Sequence, residues 1–493
     1  EDFFQKNNIK ILIFIIFFFF IIIFFLFLFK KDIFFSIISS KETTTSYGQE
    51  IYNKPNINEE KKEELEEVIS NNNFEINETF EKENFNLEKL IETEEKEEIL
   101  EEKTEKIEIL EKQERVITRV NTPQEVKALY YTSYVINSKN RQKTLSEMID
   151  AGYINSVIFD IKEVDGKISF KMDDENFSDI KPVSANHITD IKTTIDELHK
   201  KNIYVIGRIV IFKDNYLAKI RPDLAVKNPD KETVWEDYGK KNYLDANSKE
   251  VWNYNMEIAS KSYELGFDEI NFDYIRFPSD GDLKNVFYPF SNEILTENPK
   301  WGKSIIIDSF SKYLSENLKK KYPEIILSAD VFGMTTENYD DLGIGQTLES
   351  FLLHFDYVAP MIYPSHYPKW YRSIKNPDGA PFIVFDYALS SATKKIEKLN
   401  EQIILAKGNG GEIILRKNFK TKIELDNLKE IKKEKIRSWI QGFSCSWCSV
   451  YTQYDWLEIQ SQIAAIEKNG FKSWMIWNSN GIYYKNWFSE DGQ

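Results

Sequence analysis

Histidine and cysteine are scarce: the 493 residues hold four of the first and two of the second. His187, His199, His354 and His366 are scattered, with no His-x-x-x-His or Glu-x-x-His spacing, so no metal centre of the helix-face type is encoded. Cys445 and Cys448 form one Cys-x-x-Cys without the second pair that zinc needs. A disulfide or two free thiols are the remaining options. No Gly-x-Ser-x-Gly marks a nucleophile elbow, and no glycine-rich phosphate loop follows an early strand. No metal and no cofactor is implied. A basic stripe is also missing. Lysine and arginine number 64 against 80 aspartates and glutamates, a formal charge of −16. That balance excludes nucleic acid as a partner, because an acidic chain repels phosphate.

The acidity is local. Residues 59–115 contain 22 glutamates against nine lysines and arginines, which accounts for 13 of the 16 excess negative charges. Leucine and isoleucine there are sparse and sustain no heptad, so a partly helical, extended stalk is expected, with a polar Asn/Ser/Thr-rich spacer over 32–58 before it. Ahead of both, the stretch between Lys10 and Lys30 is Ile, Phe and Leu without a charge. It is long enough for a ~30 Å hydrocarbon layer and exceeds the apolar core of a cleaved signal peptide. Lysines on both sides leave its orientation undecided by charge; a short tail inside and the rest outside is the expected topology. The division read from composition is therefore an anchor at 1–31, a stalk at 32–122 and a folded domain at 123–493, with the lipid bilayer as one partner and an extracytoplasmic, membrane-anchored location.

From residue 126 onward, apolar runs with period-two alternation appear at 126–136, 154–162, 203–212, 266–278, 324–333, 355–363, 437–444 and 473–478. Helix-length segments lie between many of them, at 145–151, 194–201, 251–265, 304–321, 348–354, 391–405 and 460–469. Strands alternating with helices predict a parallel sheet, and eight of them predict an α/β fold of the (β/α)8 TIM-barrel class. The fourth run, GFDEINFDYIRFP, illustrates the unit: a helix stops at Gly266 and a strand then finishes in acid. Two loops exceed what a barrel needs. The first, 213–247, opens on the C-terminal face of the strands and is expected to build a substrate wall around Trp235. The second, 408–434, precedes the seventh strand and reads as a surface insertion.

Strand C-termini are where barrels place their chemistry. Here they supply Asp160 and Lys162, Arg208 and Lys213, Asp273 and Arg276, Asp330, Tyr363 and His366, Gln441, and Trp477 and Asn478. An unpaired carboxylate inside an apolar barrel is costly, so acids on three strands facing one mouth suggest function. Ion pairs, Asp273 with Arg276 or Asp160 with Lys162, are the structural alternative. Asp268 and Glu269 fall at the start of their strand, on the face that serves stability. Ten tryptophans and 26 tyrosines are compatible with either a well-filled core or a sugar-binding cleft.

The chain from about residue 126 to its end resembles the putative glycoside hydrolase domain family of bacterial and archaeal proteins. The matching pieces are VKALYYTSYVI, NSVIFDIK, VIGRIVIFKD, YLDANSKEVW, GFDEINFDYIRFP, LSADVFG, YVAPMIYPSHY and MIWNSN. The resemblance implies a (β/α)8 barrel that hydrolyses carbohydrate, with a polysaccharide or oligosaccharide as substrate. Carried over by position, the acid of FDYIRFP is Asp273 and that of SADVFG is Asp330; where an acid is expected after the seventh strand, this chain has Gln441-Gly442. A weaker similarity links GFDEINFDYIRFP to the chitinase strand GFDGIDIDWEYP, but the chitinase Glu falls on Ile275 and its middle Asp on Asn271. On this reading Asp273 is nucleophile or charge stabiliser and Asp330 the protonated acid. Tyr363, Trp477 and Trp235 stack on sugar faces, and Arg208, Arg276 and Asn478 bind hydroxyls, with Asp160, His366 and Gln441 completing the substrate contacts. The competing expectation is a carbohydrate-binding or cell-envelope scaffold protein without catalysis.

Overall fold

Eight parallel strands hydrogen-bond into a closed ring. The computed structural model describes residues 117–172, 177–427, 429–448, 450–489 and 492. The expected anchor, and the stalk as far as residue 116, lie outside the described residues. Among the described residues no helix is long and apolar enough to cross a membrane. A compact unit spans Val116–Gln493.

The strands are β1 (Lys127–Tyr131), β2 (Ser156–Lys162), β3 (Ile168–Phe170), β4 (Ser184–Ile188), β5 (Tyr204–Val210), β6 (Glu269–Asp273), β7 (Ile326–Phe332), β8 (Tyr357–Met361), β9 (Glu412–Arg416), β10 (Phe419–Lys422), β11 (Ser438–Gln441) and β12 (Trp474–Trp477). The ring runs β1-β2-β5-β6-β7-β8-β11-β12 and closes where Leu129 of β1 sits between Val157 of β2 and Ile476 of β12. Each ring strand is one of the eight runs read from the sequence. β3 and β4 extend β2 outward, and β9–β10 is a separate hairpin inside the 408–434 insertion.

Helices α1 (Ser133–Ile136), α2 (Lys139–Asp150), α3 (Ile191–Lys200), α4 (Asn215–Ile220), α5 (Lys249–Leu265), α6 (Asn292–Glu297), α7 (Gly302–Lys321), α8 (Leu348–His354), α9 (Pro381–Lys407) and α10 (Trp456–Lys468) lie between the strands. α5 shows how local chemistry sets the limits. Ser248 caps its first turn by accepting from the Val251 amide, and Gly266 ends it in the left-handed region at φ 114°, where a Cβ would be strained. The first strand is shorter than its apolar run. Ser133 turns the chain into α1 because its amide and hydroxyl both bind the Glu163 carboxylate, 3.3 and 2.5 Å away.

Period two sorts side chains onto two faces of the ring. Outward residues such as Leu129, Val157, Val205, Ile270 and Leu327 pack against the helices in one large apolar layer. Inward residues Val126, Ala128, Tyr130, Ile158, Tyr204, Ile206, Ala359, Tyr363, Trp439 and Met475 fill the axis. The floor is polar but paired. Glu269 takes Arg437 Nη1 at 2.6 Å and the Tyr204 hydroxyl at 2.9 Å, while Arg437 lies 3.2 Å from the Tyr357 ring centroid. Asp268 accepts from the Val120 and Val205 amides and pairs with His199 Nε2. Both acids thus hold the floor, as their position at the start of β6 predicts. Arg119 closes the same end: it donates to the carbonyls of Tyr263 and Phe267 and stacks 3.6 Å from the Tyr263 ring.

Candidate active site

The acid layer sits at the other end of the axis. Asp160 (β2), Arg208 (β5), Asp273 (β6) and Asp330 (β7) occupy successive inward positions near the C-termini of neighbouring ring strands. All four are almost completely buried. Arg208 is their hub. Its Nη1 donates to Asp160 at 2.6 Å and its Nη2 to Asp273 at 2.5 Å, and its Nε lies 3.8 Å from Asp330. The ion pairs actually formed are therefore Asp160–Arg208 and Asp273–Arg208; Lys162 turns instead to Asp214 at 2.9 Å.

Three acids around one cation cannot all be charged cheaply in so dry a place. Burial, and then the charge of Asp273, hold the Asp330 carboxyl well above the usual carboxylate range, against the pull of Arg208. One Asp330 oxygen, Oδ1, accepts from the Trp439 indole at 2.8 Å and from Asn271 at 3.0 Å, while Oδ2 lies 3.8 Å from Arg208 Nε. Burial pushes Asp160 up to about 7, with Arg208 opposing. Asp273 is oriented twice, by Arg208 at Oδ2 and by the Tyr274 amide at Oδ1, 2.6 Å away. Tyr274 has φ 55°, an uncommon conformation for a bulky side chain and a form of strain that gathers at functional sites.

Above this layer opens a cavity of about 370 Å³, lined by Arg208, Asp273, Arg276, Asp330, Tyr363, His366 and Trp477 among the residues expected. Tyr274, Phe332, Met334, Met361, Tyr367 and Trp439 complete much of the lining. Tyr130 and Trp477 stack at 4.0 Å and Trp439 meets Trp477 edge-on at 5.6 Å, giving an aromatic base beside the acids. Among the described residues, the buried hydroxyls of Tyr363 and Tyr367 have no hydrogen-bond partner. Burial, the largest cause, holds the Tyr363 hydroxyl well above its usual range, so it stays a phenol. It is available to donate or accept a hydrogen bond to a ligand.

Four expected contacts lie elsewhere. Asp160 is beneath the cavity wall, bound by Arg208 and the Tyr130 hydroxyl. Trp235 does not form the substrate wall. Its loop folds on itself through bridges such as Lys227–Val234 and Glu236–Asn242, and its indole is buried, donating to the Asp282 carbonyl. The loop reaches the site through Tyr243, whose hydroxyl accepts from Arg276 at 3.3 Å, and through Lys213, whose Nζ lies 5.3 Å from the Tyr274 ring centroid. Gln441 is a brace: it accepts from the Ser365 amide at 3.0 Å and donates to Asp378 at 3.0 Å. At the following Gly442 a Cβ would lie 2.5 Å from Ile476, so no acid fits there in this packing. Asn478 folds its own turn by donating to the carbonyls of Gly442 and Ile482.

Trp439 and Asn271 were missed, although period two points to them. They stand two residues before Gln441 and Asp273 and so share the inward face. Tyr367 and Met334 carry no such signal, since both follow a strand rather than lie in one.

The sequence matches the family described as "Putative glycosyl hydrolase domain" over residues 128–405 and 409–483. Among solved structures, a hypothetical protein from Ruminiclostridium thermocellum ATCC 27405 is similar at 32% identity, over 41% of this chain and 97% of its own, with a TM-score of 0.35. The PgaB (BpsB) glycoside hydrolase domain from Bordetella bronchiseptica aligns at 11% identity over 72% of this chain and 95% of its own, TM-score 0.49. The spore cortex-lytic enzyme SleL of Bacillus megaterium QM B1551 aligns at 10% identity over 75% and 73%, TM-score 0.41. None of the curated proteins matches the chain.

Proposed function

The chain belongs to this glycosyl hydrolase family, and from that premise we propose that it cleaves glycosidic bonds of an extracytoplasmic polysaccharide with Asp273 and Asp330. One observation carries the reading: two buried acids, Asp330 and an Asp273 paired to Arg208, line one cavity, and burial raises the Asp330 carboxyl above the usual range. Glycosidic cleavage asks for one protonated and one charged carboxyl group. Asp330 gives its proton to the leaving oxygen as the C–O bond breaks. Asp273 meets the positive charge that develops at the anomeric carbon, as nucleophile or as stabiliser. Water then supplies the hydroxyl, and its proton returns to Asp330. Trp477 stacks on a sugar face, and Arg276, Tyr363 and Tyr367 bind hydroxyls.

The location is part of the proposal: residues 1–31 anchor the protein in a bilayer and the stalk from residue 32 holds the barrel away from it, although its expected end at 122 is too late, since Arg119 and Val120 already dock on the barrel floor. Support comes from the Cys445–Cys448 disulfide, a bond that persists outside the reducing cytosol. Protease treatment of intact cells that leaves the barrel untouched would sink this placement.

Incubation with cell-wall and storage glycans tests the chemistry. The wild-type protein releases reducing ends, and Asp273→Asn abolishes release while its melting temperature is retained. Turnover by Asp273→Asn removes the assignment. Binding without release, equal in wild type and Asp273→Asn, favours the non-catalytic carbohydrate-binding reading, for which the absence of an acid at Gln441-Gly442 speaks.

A further inference from the structure

The loop that leaves β11 carries a feature the acid chemistry does not use. After Phe443 the chain closes a disulfide ring from Cys445 to Cys448, with the two Cα atoms 5.4 Å apart. Trp447 stands inside that ring and is 69% exposed. It is held in place on both sides. Its indole stacks on Phe443 with centroids 6.0 Å apart and planes at 22°. Phe443 meets Tyr363 edge-on at 5.8 Å and His366 at 6.3 Å, and both of those line the cavity. Cys448 Sγ rests 3.9 Å from the Ser365 carbonyl oxygen, and the Ser365 amide is gripped by Gln441. The ring is therefore fastened to the cavity rim, and a chain of aromatic rings in contact, Tyr363, Phe443 and Trp447, leads from the cavity to open solvent.

We propose that Trp447 is an outer sugar platform: a glycan chain seated in the cavity continues past Tyr363 and Phe443 and stacks a pyranose ring on Trp447. The inference rests on the carbohydrate reading of the cavity and adds chain length as the selected property. Short sugars fill the cavity alone; longer chains gain the second contact. The disulfide serves this by fixing the loop before binding, so that little conformational freedom is lost when the sugar arrives.

Tryptophan-fluorescence titration of the full chain decides it, with chitobiose and chitohexaose, cellobiose and cellohexaose, and laminaribiose and laminarihexaose as probes. For the hexasaccharide that binds, Trp447→Ala weakens affinity roughly tenfold while the matching disaccharide is held as before. Trp447→Phe restores most of the loss. A phosphine reductant weakens hexasaccharide binding by wild type and leaves Trp447→Ala unchanged. Equal losses for both lengths, unaltered affinity in Trp447→Ala, or no binding of any hexasaccharide overturns the platform. The hydrolytic reading fails separately. Trp447-dependent binding without product release keeps the platform and removes the hydrolase, whereas release indifferent to Trp447→Ala does the reverse.

Discussion

At Asp330, the proposed role as acid sets two demands on one side chain: burial enough to keep its proton, and a face on the cavity. Asp330→Asn keeps the size and the hydrogen-bond acceptor for Trp439 but has no acidic proton. Turnover is expected to fall at least ~100-fold, the ordinary worth of a general acid, with thermal stability equal or higher. Reducing-end assays beside a melting curve check both halves, and undiminished turnover would assign the proton elsewhere. The same residue predicts an alkaline limb, because activity falls as pH rises through its raised pKa. Asp160 makes a claim about stability. Its carboxyl titrates at about 7 in the fold and near 3.9 in an unfolded chain. Between these values the folded state keeps a proton the unfolded state has lost, so stability declines as pH rises from about 4 to about 7 and is level above. Asp160→Asn should remove that decline, on the order of a few kcal/mol, in urea unfolding followed across the window. An identical slope in both proteins would show that Arg208 keeps Asp160 charged throughout. Of these residues, the acids were legible in sequence because each ends an apolar run. The assignment of partners was not, since Arg208 rather than Arg276 or Lys162 takes the acids and only the ring's register decides that.

Elements set how well such residues are aimed. The turn after β6 passes through Tyr274 in the left-handed region, and the Tyr274 amide is one of the two groups that orient Asp273. Tyr274→Val puts a β-branched residue where it fits worst, so turnover and melting temperature should both drop. Tyr274→Gly keeps the backbone path and loses only the ring. Calorimetry and kinetics on the pair separate the two, and equal behaviour of both variants would mean the turn is not strained. Gln441→Leu tests the β11 brace. It strands the Ser365 amide and Asp378, costs about 1–3 kcal/mol by unfolding, and raises KM through the rim it supports. A KM left at the wild-type value would confine Gln441 to stability. All eight ring strands could be read beforehand because each is apolar on both faces or alternates strictly. Their ends could not, since Ser133 yields to Glu163 and such long-range bonds leave no periodic trace. Trp235 failed for a related reason: whether a loop aromatic faces a ligand or its own loop depends on segments such as Gly281–Asp282 that lie far along the chain.

The whole molecule closes its ring without an α-helix after β12 among the described residues. Trp487 and Phe488 fill that sector: Gln460 of α10 donates to the Trp487 carbonyl, Lys485 pairs with Glu147 of α2, and Phe488 stacks on Trp474 and Tyr153. Removing Phe488 as Phe488→Ala is expected to cost about 3 kcal/mol, as for a large side chain lost from a packed layer, and a shift in urea midpoint measures it. A midpoint unchanged would show the ring to be self-sufficient there. Below the acids, the axis is stoppered. Ile158, Ile206, Trp439 and Met475 pack across it, and the Glu269–Arg437 pair seals the floor. The acids are consequently reachable only from the face of the strands' C-termini, and a glycan of the proposed kind would have to lie across that face, because none could be threaded along the axis and let out behind.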